Sequence, residues 1–222
     1  MQDTSLLPDL IFRAAERAPD APALTYGKHT LNYGELQDQI TRFASGLIGL
    51  GLQRGERVAI YLEKRFETVI ASFGAPAAGG VFVPLNPLLK PEQVGYILRD
   101  CNVRMLVTSP ERLALLQETL PACHDLRHVI VLDGATGSVA PAGLALTAWR
   151  ALLEAAPAAG HRVIDTDMLG ILYTSGSTGK PKGVVLSHRN MVAGAKSVAS
   201  YLGNHAGDTL LAALPLSFDA GF

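Results

Sequence analysis

Only two cysteines, Cys101 and Cys123, occur in the 222-residue chain, with 21 residues between them and in no Cys-x-x-Cys pair. That excludes a disulfide framework and a zinc site of the usual spacing, and leaves two buried, inert thiols as the expectation. No apolar run reaches the roughly 18 residues that a membrane-spanning helix needs. The N-terminus, Met1-Gln-Asp-Thr-Ser-Leu-Leu-Pro, lacks the basic segment and apolar core of an export signal. An excess of either charge is missing too: the formal net charge is -1 and the pI is near 6.6. Such a balance offers no electrostatic footprint for nucleic acid or for an acidic membrane surface. Internal repeats and low-complexity tracts are also lacking. The expectation is a soluble cytoplasmic protein whose function is carried by local motifs.

The apolar pattern predicts an α/β chain. Leu7, Leu10, Ile11 and Ala14 share one side of a helix over 6–18, ended by Pro19. A strand follows over 23–26, with Gly27-Lys28 as its turn. Leu36, Ile40, Phe43, Ala44, Leu47 and Ile48 recur at helical spacing over 33–50, and Gly49 and Gly51 stop that helix. From Arg57 onward short β-branched runs at 58–61, 81–83, 104–107 and 129–132 alternate with helical stretches at 66–78, 91–100 and 110–119. Such alternation predicts parallel strands joined by crossover helices. Pro76 stands late in the 66–78 helix and is expected to kink it or shorten it by a turn. An exposed connection over 133–141 leads to a helix over 146–154. Strands at 169–173 and 184–186 flank the segment between them, Ser187 caps a helix from Arg189 to about Leu202, and a last strand covers 210–214.

The most informative segment is Tyr173-Thr-Ser-Gly-Ser-Thr-Gly-Lys-Pro-Lys-Gly183, where four hydroxyls, three glycines and two lysines fall within eleven residues. Glycines let backbone N–H groups approach an anion, Ser and Thr donate further hydrogen bonds, and Lys180 and Lys182 balance its charge. A flexible linker has similar composition but rarely lies between two apolar runs such as 168–172 and 184–186. The phosphate loop of nucleoside triphosphatases does not fit. Counting back from Gly179-Lys180, its first glycine would stand at Thr174, and Pro181 occupies the place of the magnesium-binding hydroxyl. Pro181 also disfavours a helix starting at Lys180.

Residue for residue, this run resembles the signature loop of the AMP-forming acyl-activating enzymes: acyl-CoA synthetases, luciferases and the adenylation domains of peptide synthetases. The resemblance implies a layered α/β fold with largely parallel sheets, and a segment 174–182 that clamps the β- and γ-phosphates of ATP. Thr174, Ser175, Gly176, Ser177, Thr178, Gly179, Lys180 and Lys182 are the residues that would bind the nucleotide. Donors aimed at the leaving pyrophosphate make sense chemically, since charge builds there, and one such donor is typically worth about 2.7 to 4 kcal/mol of barrier. The implied reaction joins a carboxylic acid to the α-phosphate of ATP and then passes the acyl group to coenzyme A or a carrier pantetheine. Magnesium would accompany the nucleotide.

Elsewhere the resemblance is weaker. Leu31-Asn-Tyr-Gly-Glu-Leu36 and Ala78-Gly-Gly-Val-Phe-Val-Pro-Leu-Asn-Pro87 resemble early segments of the family, and their apolar positions read as core. Segments 84–102 and 216–222 are similar to bacterial acyl-CoA ligases of exosortase and exopolysaccharide systems. Asp219 resembles the aspartate that holds the substrate ammonium in amino-acid adenylation domains, or else shapes a turn before Gly221. His188, just after a strand, is expected to cap a helix or lie exposed rather than act as a base. Family members are typically at least twice as long, so 1–222 is expected to be the N-terminal part of the large domain. The family's magnesium-serving and ribose-binding residues and the C-terminal lid with its catalytic lysine would then lie beyond Phe222. A non-catalytic nucleotide-binding or interaction module is the alternative, and a chain with the clamp alone would bind polyphosphate without positioning the reacting groups.

Overall fold

The structure, a computed structural model, describes residues 5–132, 141, 143–174, 180–218 and 221–222. A hairpin of β1 (Pro22–Tyr26) and β2 (His29–Asn32) stands apart from a seven-stranded sheet. The sheet comprises β3 (Arg57–Tyr61), β4 (Val81–Pro84), β5 (Val103–Thr108), β6 (His128–Val131), β7 (Ala145–Ala148), β8 (Met168–Thr174) and β9 (Lys182–Ser187), in the order β7-β6-β5-β3-β4-β8-β9. All neighbours run parallel except β8 and β9. Helices α1 (Leu7–Arg17), α2 (Tyr33–Gly49), α3 (Phe66–Ala77) and α6 (Trp149–Leu153) cover one face, while α4 (Pro91–Asp100) and α5 (Pro110–Leu116) cover the other. The largely parallel α/β fold expected from the alternation is therefore present.

Period-two alternation explains the two cores. Val58, Ile60, Phe82, Ile130 and Leu172 point to the α2–α3 side, and Ala59, Tyr61, Val83, Val129, Ile171 and Tyr173 to the α4–α5 side. Local chemistry starts the helices. Asn32 accepts from the Glu35 N–H at 2.8 Å and Glu35 accepts from the Asn32 N–H at 2.9 Å, a reciprocal cap for α2. Ser187 accepts from the Asn190 N–H at 3.1 Å at the start of α7 (His188–Leu202), as expected, and Gly203 ends that helix at φ 69°.

Three expectations are corrected. The helix expected over 146–154 begins only at Trp149, because Ala145–Ala148 pairs in parallel with His128–Val131 and becomes an edge strand. No strand forms over 210–214: no described strand offers it a ladder, Leu211 is 91 % exposed, and Lys64 Nζ donates to the carbonyls of Ala212 and Ala213. Pro76 does not shorten α3, since it falls in the last turn, where the only lost intrahelical bond is the one its own N–H would have made. Most of the expected connection over 133–141 lies outside the described residues.

Candidate active site

The chain leaves β3 for β4 through α3 on one face, then leaves β4 through α4 on the other and crosses back past β3 to β5. Ligands of parallel α/β sheets bind outside the carboxyl ends of strands at such a switch. Two cavities lie there. One, of about 160 Å³, opens between Ile60, Leu62, Pro84, Leu85 and Leu216. The other, of about 220 Å³, is bordered by Leu85, Gln93, Ile97, Tyr173, Thr174 and Pro181. Ser217 lines both, and its buried hydroxyl has no hydrogen-bond partner among the described residues. Nothing in the sequence distinguishes this serine from an ordinary loop residue.

Beside these cavities β8 and β9 present the two ends of the hydroxyl- and lysine-rich run. Thr174 is paired with Lys182 and Tyr173 with Gly183, so Thr174 and Lys182 share one face of the hairpin while Tyr173 and Gly183 share the other. Lys180 lies toward that second face, its Nζ 6.0 Å from the Tyr96 ring centroid. Thr174, Lys180 and Lys182 are exposed, and neither lysine forms an ion pair among the described residues. Two uncommitted ammonium groups and a hydroxyl at the carboxyl end of a sheet fit a polyphosphate. Ser175, Gly176, Ser177, Thr178 and Gly179 lie outside the described residues, as does Asp219.

The third glycine of the run has a different task from the one composition implies. A Cβ at Gly183 would stand 2.7 Å from Ile171 Cγ2 and 3.2 Å from Tyr173 Cζ, so its absence makes room for the buried phenol opposite. The Tyr173 hydroxyl donates to Asp100 Oδ2 at 2.6 Å, and burial with this partner pushes its pKa far up, keeping the phenol protonated. Around the neighbouring loop, Arg112 donates to the Pro87 carbonyl at 2.7 Å, pairs with Glu63 and lies 4.6 Å over the Tyr61 ring. The guanidinium holds the Glu63 carboxyl below its usual range. Tyr61 in turn donates to the Leu89 carbonyl at 2.8 Å, so residues 85–90 are tied down from beneath.

The expectation for His188 is corrected in part: it does not lie exposed, and the helix start it serves is that of α1 rather than its own. It is 1 % exposed, and its Nδ1 accepts the Leu7 N–H at 3.1 Å, joining α7 to α1. Among the described residues no group of three or more His, Cys, Asp or Glu is placed to hold a metal ion. Magnesium needs no such group, since one or two carboxylates together with the phosphates of a nucleotide suffice to hold it.

A family described as AMP-binding enzyme matches residues 11–222. Gramicidin S synthase 2 of Aneurinibacillus migulanus is 29 % identical over 211 residues, covering 92 % of this chain and 4 % of that protein. A chloroplastic long-chain-fatty-acid–acyl-carrier-protein ligase of Arabidopsis thaliana is 30 % identical over 230 aligned positions, covering 94 % of this chain and 32 % of its own length. The solved anthranilate CoA ligase AuaEII, in complex with anthranoyl-AMP, superposes with a TM-score of 0.77 at 25 % identity, over 86 % of this chain and 36 % of that one. The chain thus spans a third or less of the length of the two curated relatives and little more than a third of the solved ligase.

Proposed function

Because the chain belongs to the AMP-binding enzyme family, we propose that residues 1–222 form the N-terminal part of the large domain of an AMP-forming acyl-CoA ligase. The observation that carries this reading is the presence of Thr174, Lys180 and Lys182 at the carboxyl end of the sheet, beside a cavity of about 220 Å³. ATP supplies the α-phosphorus that activates a carboxylic acid. A carboxylate oxygen bonds to that phosphorus as its bond to the bridging oxygen breaks, and pyrophosphate departs with the electron pair. In the second half, the sulfur of coenzyme A bonds to the acyl carbon, AMP leaves and the thiol proton passes to solvent.

This chain's own residues serve the first half. Lys180 and Lys182 offset the charge that grows on pyrophosphate, and the Thr174 hydroxyl donates to a phosphate oxygen. Ser175, Ser177 and Thr178, with Gly176 and Gly179, would complete the hold. The mostly apolar cavities suit the body of the acid. A cytoplasmic location follows from the supply of ATP and coenzyme A.

A second reading is favoured by the peptide synthetases among the relatives: activation of an amino acid, with Asp219 holding its ammonium and a carrier pantetheine as acceptor. ATP–pyrophosphate exchange in the full-length gene product, driven by fatty, aryl and amino acids, separates the two. The ligase reading expects exchange with a fatty or aryl acid, reduced about 100-fold or more by Lys180→Ala, in line with loss of one transition-state donor. Exchange confined to amino acids and sensitive to Asp219→Ala would establish the second reading. Absence of exchange with every acid in a folded protein would leave a non-catalytic binding module.

A further inference from the structure

One face of α4 touches both described ends of the run. Tyr96 and Asp100 are four residues apart, hence on the same side of the helix. Asp100 accepts from Tyr173, the residue immediately before Thr174, and the Tyr96 ring lies under the ammonium of Lys180. We propose that Asp100, through Tyr173, and Tyr96, through Lys180, are positioning residues that hold Thr174 and Lys180 where phosphate is bound. The inference rests on the functional reading above.

Asp100 is placed against the electrostatics of its own helix. It is the last residue of α4, where the helix dipole disfavours a carboxylate, and it forms no ion pair among the described residues. The two carbonyls just past α4 are served by Arg57, which donates to Cys101 O at 2.6 Å and Asn102 O at 2.8 Å. What Asp100 does have is the Tyr173 phenol, 73 residues away in sequence, with the Tyr96 hydroxyl of its own helix also close to its carboxylate. A buried tyrosine needs an acceptor for its hydroxyl, and a charged acceptor at 2.6 Å gives a strong bond. With the ring clamped between Asp100 and the space left at Gly183, the end of β8 at Thr174 is held in one place. At the other end, the cation–π contact keeps the Lys180 ammonium beside the ring while leaving its N–H donors open to phosphate.

The test uses the full-length gene product, with pyrophosphate exchange and binding of inorganic tripolyphosphate as readouts. Tyr173→Phe and Asp100→Ala are each expected to raise the KM for pyrophosphate about tenfold, the worth of one charge-assisted bond, with the maximal rate within about twofold. The double variant should be no worse than either single one. Asp100→Asn keeps an oxygen acceptor and should restore most of the affinity. Tyr96→Leu should raise KM about threefold, and Tyr96→Phe, which keeps the ring face, should raise it less. Tyr173→Phe removes a single oxygen, so it decides the matter should Asp100→Ala not fold. An unchanged KM in Tyr173→Phe, while Lys180→Ala abolishes exchange, overturns the inference and leaves the functional reading standing. A lower melting temperature in all variants without any change in KM overturns it also, reducing the pair to a structural contact. A wild-type protein that neither exchanges nor binds tripolyphosphate removes the functional reading, and the inference with it.

Discussion

His188 holds its Nδ1 as an acceptor for the Leu7 N–H, which requires a neutral imidazole. Burial pushes its pKa below the ordinary 6.5, against smaller upward pulls from Asp167, Asp9 and Asp165. Above about pH 6.5 both folded and unfolded states are neutral there and stability is complete. As the pH falls through that value the unfolded chain takes up a proton that the native state refuses, so stability declines until the lower, folded pKa is reached. The urea midpoint should therefore be lower at pH 5.5 than at pH 7.5, and His188→Asn, which keeps an acceptor but does not titrate, should flatten the slope. His128, also shifted down by burial and by Arg127, adds a slope of the same sign, which the comparison with the variant subtracts. The two thiols give a second outcome at this scale. Burial pushes Cys101 up to about 11 and raises Cys123 too, so iodoacetamide at pH 8 should label neither in the native protein and both in urea. Faster labelling of Cys101 in the native state would contradict its packing. The expectation of inert thiols followed from composition, whereas the role of His188 did not, because nothing local says that α1 will close over it.

Among the elements, the β8–β9 hairpin has the narrowest tolerance. Gly183→Ala would press a methyl against Ile171 and the Tyr173 ring, and should cost about 1 to 3 kcal/mol, measured by urea denaturation, through overpacking. A wild-type midpoint in that variant would show the ring free to move away. Asn32→Ala should cost about 1 kcal/mol by removing the cap of α2, read as a lower melting temperature. The Asn-x-x-Glu pattern that makes this cap is legible in the sequence, as is Ser187 before α7. Ala145–Ala148 is not: four small or apolar residues carry no period, and pairing with β6 decides that they are strand. The segment 210–214 is the opposite case, apolar enough to read as a strand yet left without a partner among the described residues.

For the whole molecule, the two cores share a single sheet, so helices on both faces should be lost together. Trp149 is the only tryptophan and is buried against Phe43, with ring centroids 4.8 Å apart, on the α2–α3 side. Its fluorescence and the far-UV circular dichroism should report the same urea midpoint. Separate midpoints would mean that the two layers unfold independently.

The sequence by itself determined the class of the fold and the place of the candidate site. Short, unbroken apolar runs separated by helical ones bury their surface as a layered, mostly parallel sheet, and a run dense in glycine, hydroxyl and lysine between two strands marks the candidate anion site. Tertiary structure alone decided what surrounds that run. Strand order brought α4 beside β8, so that Asp100 and Tyr96 meet Tyr173 and Lys180, and the turn of the chain at β3 and β4 opened two cavities around Ser217. These contacts join residues far apart along the chain, and no local periodicity encodes a distance between them.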